Sequence, residues 1–260
     1  TMPQLLDLSN LIKQRNNKTL YALKINNDPE DTSGAKLLES AAKLASATDN
    51  KLIQIMKCDL NISNCIIDTV QANKITDLIV GIHHKANIVD TFLGGTITAL
   101  INGTSHQNLI IYGPKRPVNS VKRLVVTVPQ MAELEIGFDL WFDRVKNIAS
   151  QLSIPIVFYA NKTTTEALKK QCEIHSSLNV SFRELASWED FLIISKDIKH
   201  SDTLIVITAR KATVSYNNLF EKIPYYLNKY FADNNFLLIY PQQTASDGTD
   251  NDIYNPLKIS

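Results

Sequence analysis

Glycine is scarce in this chain: eight in 260 residues, with none between Lys199 and Phe236. An ordinary domain carries about 7% glycine, so the shortage removes backbone freedom from the second half above all. A turn there that wraps a phosphate through bare backbone is excluded. Cysteine is nearly as rare, and the three thiols Cys58, Cys65 and Cys172 are odd in number with no Cys-x-x-Cys spacing. That pattern argues against a disulfide framework and fits inert thiols in a reduced compartment. Charge of one sign is also missing, because 27 basic side chains face 26 acidic ones for a net charge of +1. Such balance gives no electrostatic footprint for nucleic acid. No apolar run approaches the roughly 18 residues that a membrane span needs, and no basic-then-apolar leader opens the chain. The expectation is a soluble piece that does not itself insert into a membrane. Gly-x-Ser-x-Gly, Walker and His-Glu-x-x-His motifs are absent from the sequence, which leaves no pattern for catalysis. His83 and His84 are adjacent, so on an extended segment they point to opposite sides and cannot share one metal ion.

What is present is a globular composition, 44% hydrophobic and 20% charged, and a repeat. Asp77-Leu78-Ile79-Val80-Gly81-Ile82-His83-His84-Lys85 recurs in pattern as Thr203-Leu204-Ile205-Val206-Ile207-Thr208-Ala209-Arg210-Lys211. Each copy is an apolar run that opens into a polar, basic turn. A second echo follows, Asn108-Leu109-Ile110-Ile111-Tyr112 against Asn235-Phe236-Leu237-Leu238-Ile239-Tyr240. Repetition at that period predicts two duplicated domains rather than a solenoid, in keeping with a length that favours about two domains.

The second half alternates fully: strand 122–128, helix 137–152, strand 154–160, helix 163–171 capped by Thr163, strand 180–185, helix 188–198 capped by Ser187, strand 204–208, helix 218–231 broken at Pro224, and strand 236–240. The first half matches from the second element onward: helix 3–15, strand 20–25, helix 34–47, strand 52–57, helix 61–72, strand 78–82, helix 88–101 and strand 109–112. A counterpart of strand 122–128 is missing, and a doubly wound sheet without its first strand has a gap in a buried ladder. The expectation is that residue 1 lies inside a longer protein, or that another segment fills the slot. Residues 114–121, with two prolines, read as the linker, giving domains at 1–116 and 117–243 and a flexible tail at 244–260.

Gly81 sits at the carboxyl end of a strand, where open α/β sheets bind ligands. Gly94 and Gly95 bring backbone close to an anion, Thr96 offers a hydroxyl and Lys85 a charge. The alternative for the glycine pair is a turn or close helix packing. Gly81-x-x-His84, nine residues, then Gly94-Gly95 resembles the universal stress protein signature, Gly-x-x-Gly, nine residues, Gly-Ser/Thr. His84 stands where the second glycine belongs and Gly95 where the hydroxyl residue belongs, while the second half has Ile207 and Arg210 at the first two positions. The resemblance implies two α/β doubly wound parallel sheets packed as a pseudo-dimer, with the last strands facing each other. It also implies a site at Gly81, His84, Lys85, Gly94, Gly95 and Thr96 for ATP, AMP or a cyclic dinucleotide.

Leu140-Trp141-Phe142, Ser187-Trp188-Glu189-Asp190-Phe191-Leu192, Ala209-Arg210-Lys211 with Val214-Ser215-Tyr216, and Leu227-Asn228-Lys229-Tyr230-Phe231 are similar to the cytoplasmic tail of bacterial cation/proton antiporters with tandem universal stress domains. That resemblance implies a non-catalytic regulatory region, cytoplasmic, joined upstream of residue 1 to the membrane domain of an inner-membrane antiporter, and homodimeric. A stand-alone nucleotide-binding stress protein and a ligand-free dimerisation module are the alternatives.

Overall fold

The computed structural model describes residues 2–13, 19–26, 28, 33–82, 89, 95–174 and 178–244. In chain order the regular elements are α1 (Met2–Ile12), β1 (Thr19–Asn26), α2 (Ser33–Ser46), β2 (Lys51–Cys58), α3 (Ile62–Ala72), β3 (Asp77–Gly81), α4 (Thr96–Gly103) and β4 (Asn108–Gly113). The second half follows with β5 (Arg123–Thr127), α5 (Phe138–Leu152), β6 (Ile156–Ala160), α6 (Lys162–Ile174), β7 (Val180–Glu184), β8 (Asp202–Ile207), α7 (Ile223–Tyr230) and β9 (Asn235–Tyr240). Three-residue-per-turn helices occupy Trp188–Lys196 and Asn218–Lys222.

Seven strands form one sheet in the order β3-β4-β9-β8-β5-β6-β7, and β1 and β2 form a separate parallel pair. All pairings in the large sheet are parallel except β4 with β9, where Ile110 faces Ile239 and Ile111 faces Leu238. The last strands of the two halves therefore meet, and one sheet runs through both. Their apolar runs are continuous because both faces are covered. Alternate residues serve opposite cores: Ile110, Val126, Ile205 and Ile239 join α1 and α5 on one face. Ile111, Val125, Val206 and Leu238 join α4, α7 and the Trp188 helix on the other.

Across the halves, α1 packs against α5. The carbonyl groups that close α1 have no intrahelical partner, and α5 supplies donors: Gln151 Nε2 reaches Leu11 O at 2.8 Å and Asn147 Nδ2 reaches Ile12 O at 3.2 Å. The linker is fastened too. The buried Asn235 side chain of β9 accepts from the amides of Lys115 and Arg116, at 2.6 and 2.9 Å, and donates to Arg116 O.

Several boundaries differ from the sequence expectations. The helix after β6 is capped by Asn161, whose Oδ1 accepts from Thr164 N at 2.9 Å, rather than by Thr163. Ser187 caps as expected, but the helix it starts winds as a 3₁₀ helix. Pro224 starts a second helical piece, in keeping with the break read there, since proline fits the first turn where no donor is needed. A helix before β4 begins at Thr96; of the earlier part of the expected 88–101 stretch, Val89 is helical, and residues 88 and 90–94 lie outside the described residues.

Cys65 and Cys172 fit the expectation of inert thiols, and the exposed Cys58 departs from it. Cys58 is exposed, Cys65 is buried and Cys172 is half-buried, and burial pushes the Cys172 thiol up to about 11. Only thiolate alkylates, so iodoacetamide at pH 8 is expected to modify Cys58 first and Cys172 about 100-fold more slowly, by peptide mass spectrometry. Equal rates at the two would contradict this placement.

Candidate functional site at the carboxyl ends of the strands

In the N-terminal half β3 ends at Gly81, and the next amide, Ile82 N–H, donates to Tyr112 O at 2.8 Å. A Cβ on Gly81 would come within 3.0 Å of Leu5 Cδ2, so the glycine gives the Leu5 side chain of α1 room to lie close over this strand end. Gly95 is different: its φ of +75° lies in the left-handed region, and a Cβ there would meet nothing within 4 Å. Gly95 is exposed and Thr96, half-buried, opens α4 with no side-chain cap on its first turn. Unpartnered amides at a helix start carry partial positive charge, the geometry an anion requires. Gly81, Gly95 and Thr96 thus fall at the end of β3 and the start of α4. His84, Lys85 and Gly94 lie outside the described residues, as does His83.

The C-terminal half fills the corresponding region with its own side chains. Glu135, in the loop after β5, extends its carboxylate to the turn after β8, where it accepts from Ser215 N at 3.0 Å and from Ser215 Oγ at 2.6 Å. An internal carboxylate therefore engages the amide and hydroxyl of Ser215 in the turn after β8. Arg210, at the position of the second signature glycine, points instead into the N-terminal half. Its guanidinium donates to Ile101 O, to Thr104 O at 2.8 Å, to Gln107 O at 3.2 Å and to Pro241 O at 3.3 Å. Burial pulls this group down to about 10, so it stays charged at neutral pH. It acts as a cationic cap on the carboxyl end of α4. Gly137 permits a further closure, because a Cβ there would strike Gln242 O at 2.5 Å where the chain leaves β9.

A second cross-half tie joins α5 to the foot of β3. Arg144 Nε and Nη2 grip the two carboxylate oxygens of Asp77 at 2.9 and 2.8 Å, and Asp77 also accepts from Asn108 at 3.2 Å. The bidentate fork fixes direction as well as distance. On the far edge, Asp197 accepts from Tyr159 Oη at 2.7 Å and pairs with Arg183 and Arg123. Burial alone would raise its pKa, but the phenol and the two guanidinium groups outweigh burial and hold the carboxyl below its ordinary value. These groups are all committed to one another. Among the described residues no cluster of three or more His, Cys, Asp or Glu side chains could hold a metal ion, and no helix is long and apolar enough to cross a membrane.

No protein-family model matches the chain, and no curated protein matches it significantly in sequence. Solved structures do. The cytoplasmic domain of a prokaryotic cation chloride cotransporter superposes with a TM-score of 0.65 at 12% identity, over 93% of this chain and 92% of that one. A putative universal stress protein from Pseudomonas aeruginosa gives 0.59 at 12% identity, over 91% and 88%. One from Archaeoglobus fulgidus gives 0.55 at 11% identity, over 92% of each chain. The fold is that of the universal stress proteins. Identities this low carry architecture and nothing of the site.

Within that fold the two halves are unequal. The N-terminal half has a helix start behind Gly95 with no side-chain cap, whereas in the C-terminal half Glu135 bonds to Ser215 and Arg210 is spent on its neighbour. Arg210 and Ser215 belong to segments that the sequence singles out, Ala209-Arg210-Lys211 and Val214-Ser215-Tyr216. Glu135 and the Asp77–Arg144 pair carry no motif.

Proposed function

We propose that this chain is a non-catalytic regulatory region of a monovalent cation/proton antiporter, built from universal-stress-type domains at 1–116 and 117–243. The observation that carries this reading is end-to-end likeness to the cytoplasmic domain of a cation chloride cotransporter, 93% of one chain on 92% of the other. The Trp141, Trp188 and Arg210 segments, similar in sequence to antiporter tails, support it from a separate direction. Regulation requires that something bind the two transporter states unequally. The β4–β9 seam, the Arg210 cap and the Asp77–Arg144 fork join the two halves, which gives a ligand or partner bound to one half a physical route to the other.

Two measurements test the proposal. In everted membrane vesicles carrying the full-length transporter, deletion of this region is expected to shift the cation concentration for half-maximal antiport several-fold. Identical antiport curves would remove the regulatory role. Calorimetry addresses the ligand: any adenine nucleotide or cyclic dinucleotide that binds is expected to do so once per chain, at the α4 start, because in the other half Glu135 already engages the turn after β8. Gly95→Val strains a left-handed position and is expected to lower that affinity at least tenfold. Two sites per chain, or unchanged affinity in the variant, would overturn the placement. Absence of heat with every nucleotide would favour a ligand-free module.

A further inference from the structure

The N-terminal half contains a strand-wide slot, and we infer that it receives a parallel, apolar β-strand of about five residues that leads into α1. The C-terminal half shows what such a slot holds. There β5 lies between β6 and β8, parallel to both, with Val125 opposite Val157 on one side and Leu204 on the other. The N-terminal half repeats the flanking order, β2-β1 on one side and β3-β4 on the other, but β1 and β3 belong to different sheets. Helices nonetheless bridge the interruption. On one side α1 packs on both α2 and β3, and α3 packs on both β1 and α4. The layers above and below the sheet are continuous while the sheet is not.

Burial records the same vacancy. All five residues of β3 are only half-buried, whereas all six of β8, its counterpart, are fully buried. β1 buries only Ala22 and Asn26, against every residue of β6. Hydrogen bonding gives the polarity. Thr76 O and Ile82 N bond to β4, so by the alternation of a parallel ladder Ile79 and Gly81 direct their amides away from it. Asn26 O bonds to Asp59 beyond β2, which turns Tyr21, Leu23 and Ile25 toward the slot. Among the described residues, two rows of backbone groups, one on β1 and one on β3, face away from their strand partners. Such groups between covered faces demand partners.

The occupant's chemistry follows. It is extended and parallel to both neighbours, and it is apolar on both faces because helices cover both. Its exit is set by the second half, where β5 leads into α5, the helix against which α1 packs. A strand seated there would fuse the β1–β2 pair to the seven-stranded sheet, and would couple whatever protein segment carries it to the body of the fold. The slot stands irrespective of which protein the halves regulate.

Hydrogen–deuterium exchange tests this on the chain itself. Amides of Leu23, Ile25, Ile79 and Gly81 are expected to exchange at least 100-fold faster than those of β6 and β8. Equal protection would mean that the slot is already closed, and would overturn the inference. The chain's own residues 122–137, grafted ahead of Met2, then supply a parallel strand with a natural exit. The graft is expected to slow those four amides at least tenfold in a monomer. A control graft with proline at the position copied from Val126 is expected to leave them fast. Equal slowing by both grafts, no slowing by either, or protection that appears only with dimerisation of the ungrafted chain would each refute a strand leading into α1.

Discussion

Arg210→Met is expected to lower folding stability by about 3–5 kcal/mol, the range for stripping a partner from a buried charged contact. The side chain is 7% exposed and its donors serve four main-chain carbonyls, three of them at or beyond the carboxyl end of α4. Methionine fills much of the volume but donates nothing, so those oxygens remain buried without a charged donor at about 1–3 kcal/mol each before relaxation. Arg210→Lys keeps the charge and loses the fork, since one ammonium cannot reach carbonyls spread over Ile101, Thr104, Gln107 and Pro241. Its expected loss is about half that of methionine. Urea unfolding followed by tryptophan fluorescence measures both. A methionine variant within 1 kcal/mol of the parent would show that water replaces the guanidinium at little cost, and the clamp would lose its meaning.

Because Arg210 holds the carboxyl end of α4 while Gly95 leaves its other end open, the same short helix is fixed at one terminus and available at the other. Glu135 gives the C-terminal half no such freedom. The asymmetry that the sequence shows as a loss of glycines is, in the structure, a change of duty: the C-terminal turn that would have faced a ligand braces the N-terminal half instead.

The strands were legible because burial on both faces leaves an unbroken apolar run, as in Leu204 to Ile207, and such runs admit few other structures at that length. The unequal strand count of the two halves among the described residues, four against five, was legible for the same reason. Winding was not. A Ser187 cap followed by apolar spacing suits a 3₁₀ helix as well as an α-helix, and only packing of Trp188, Phe191 and Phe220 decides. Gly81 illustrates a different limit. A glycine at a strand end serves a close approach, but the sequence does not say whether a phosphate or the side chain of Leu5 makes it. Contacts between residues far apart in the chain were least legible. Glu135 to Ser215 and Arg144 to Asp77 span 80 and 67 positions, and no local pattern marks either end.

Trp141→Ala is expected to cost about 3–5 kcal/mol, as for a large aromatic deleted from a core that cannot collapse. The ring is fully buried and stands edge-on to Phe138 at 5.3 Å and to Phe142 at 6.1 Å. Phe142 then stacks on Phe158, and Phe158 on Phe182, at 6.0 and 5.8 Å. This ladder ties α5 to β6 and β7 on the face that also holds Leu8, Leu11 and Ile12 of α1. A hole at its head loosens both halves together. Trp141→Phe separates packing from polarity. The indole Nε1 is buried with no acceptor among the described residues, so phenylalanine removes an uncompensated donor along with some volume. Its expected cost is about 1–2 kcal/mol, well below that of alanine. Trp188, the other tryptophan in the chain and itself buried, remains as the fluorescent reporter in both variants. Equal losses for phenylalanine and alanine would mean that the indole N–H has a partner after all and that the site is polar rather than packed. A single cooperative transition in every variant is expected, because the sheet that runs through both halves leaves neither core able to melt alone.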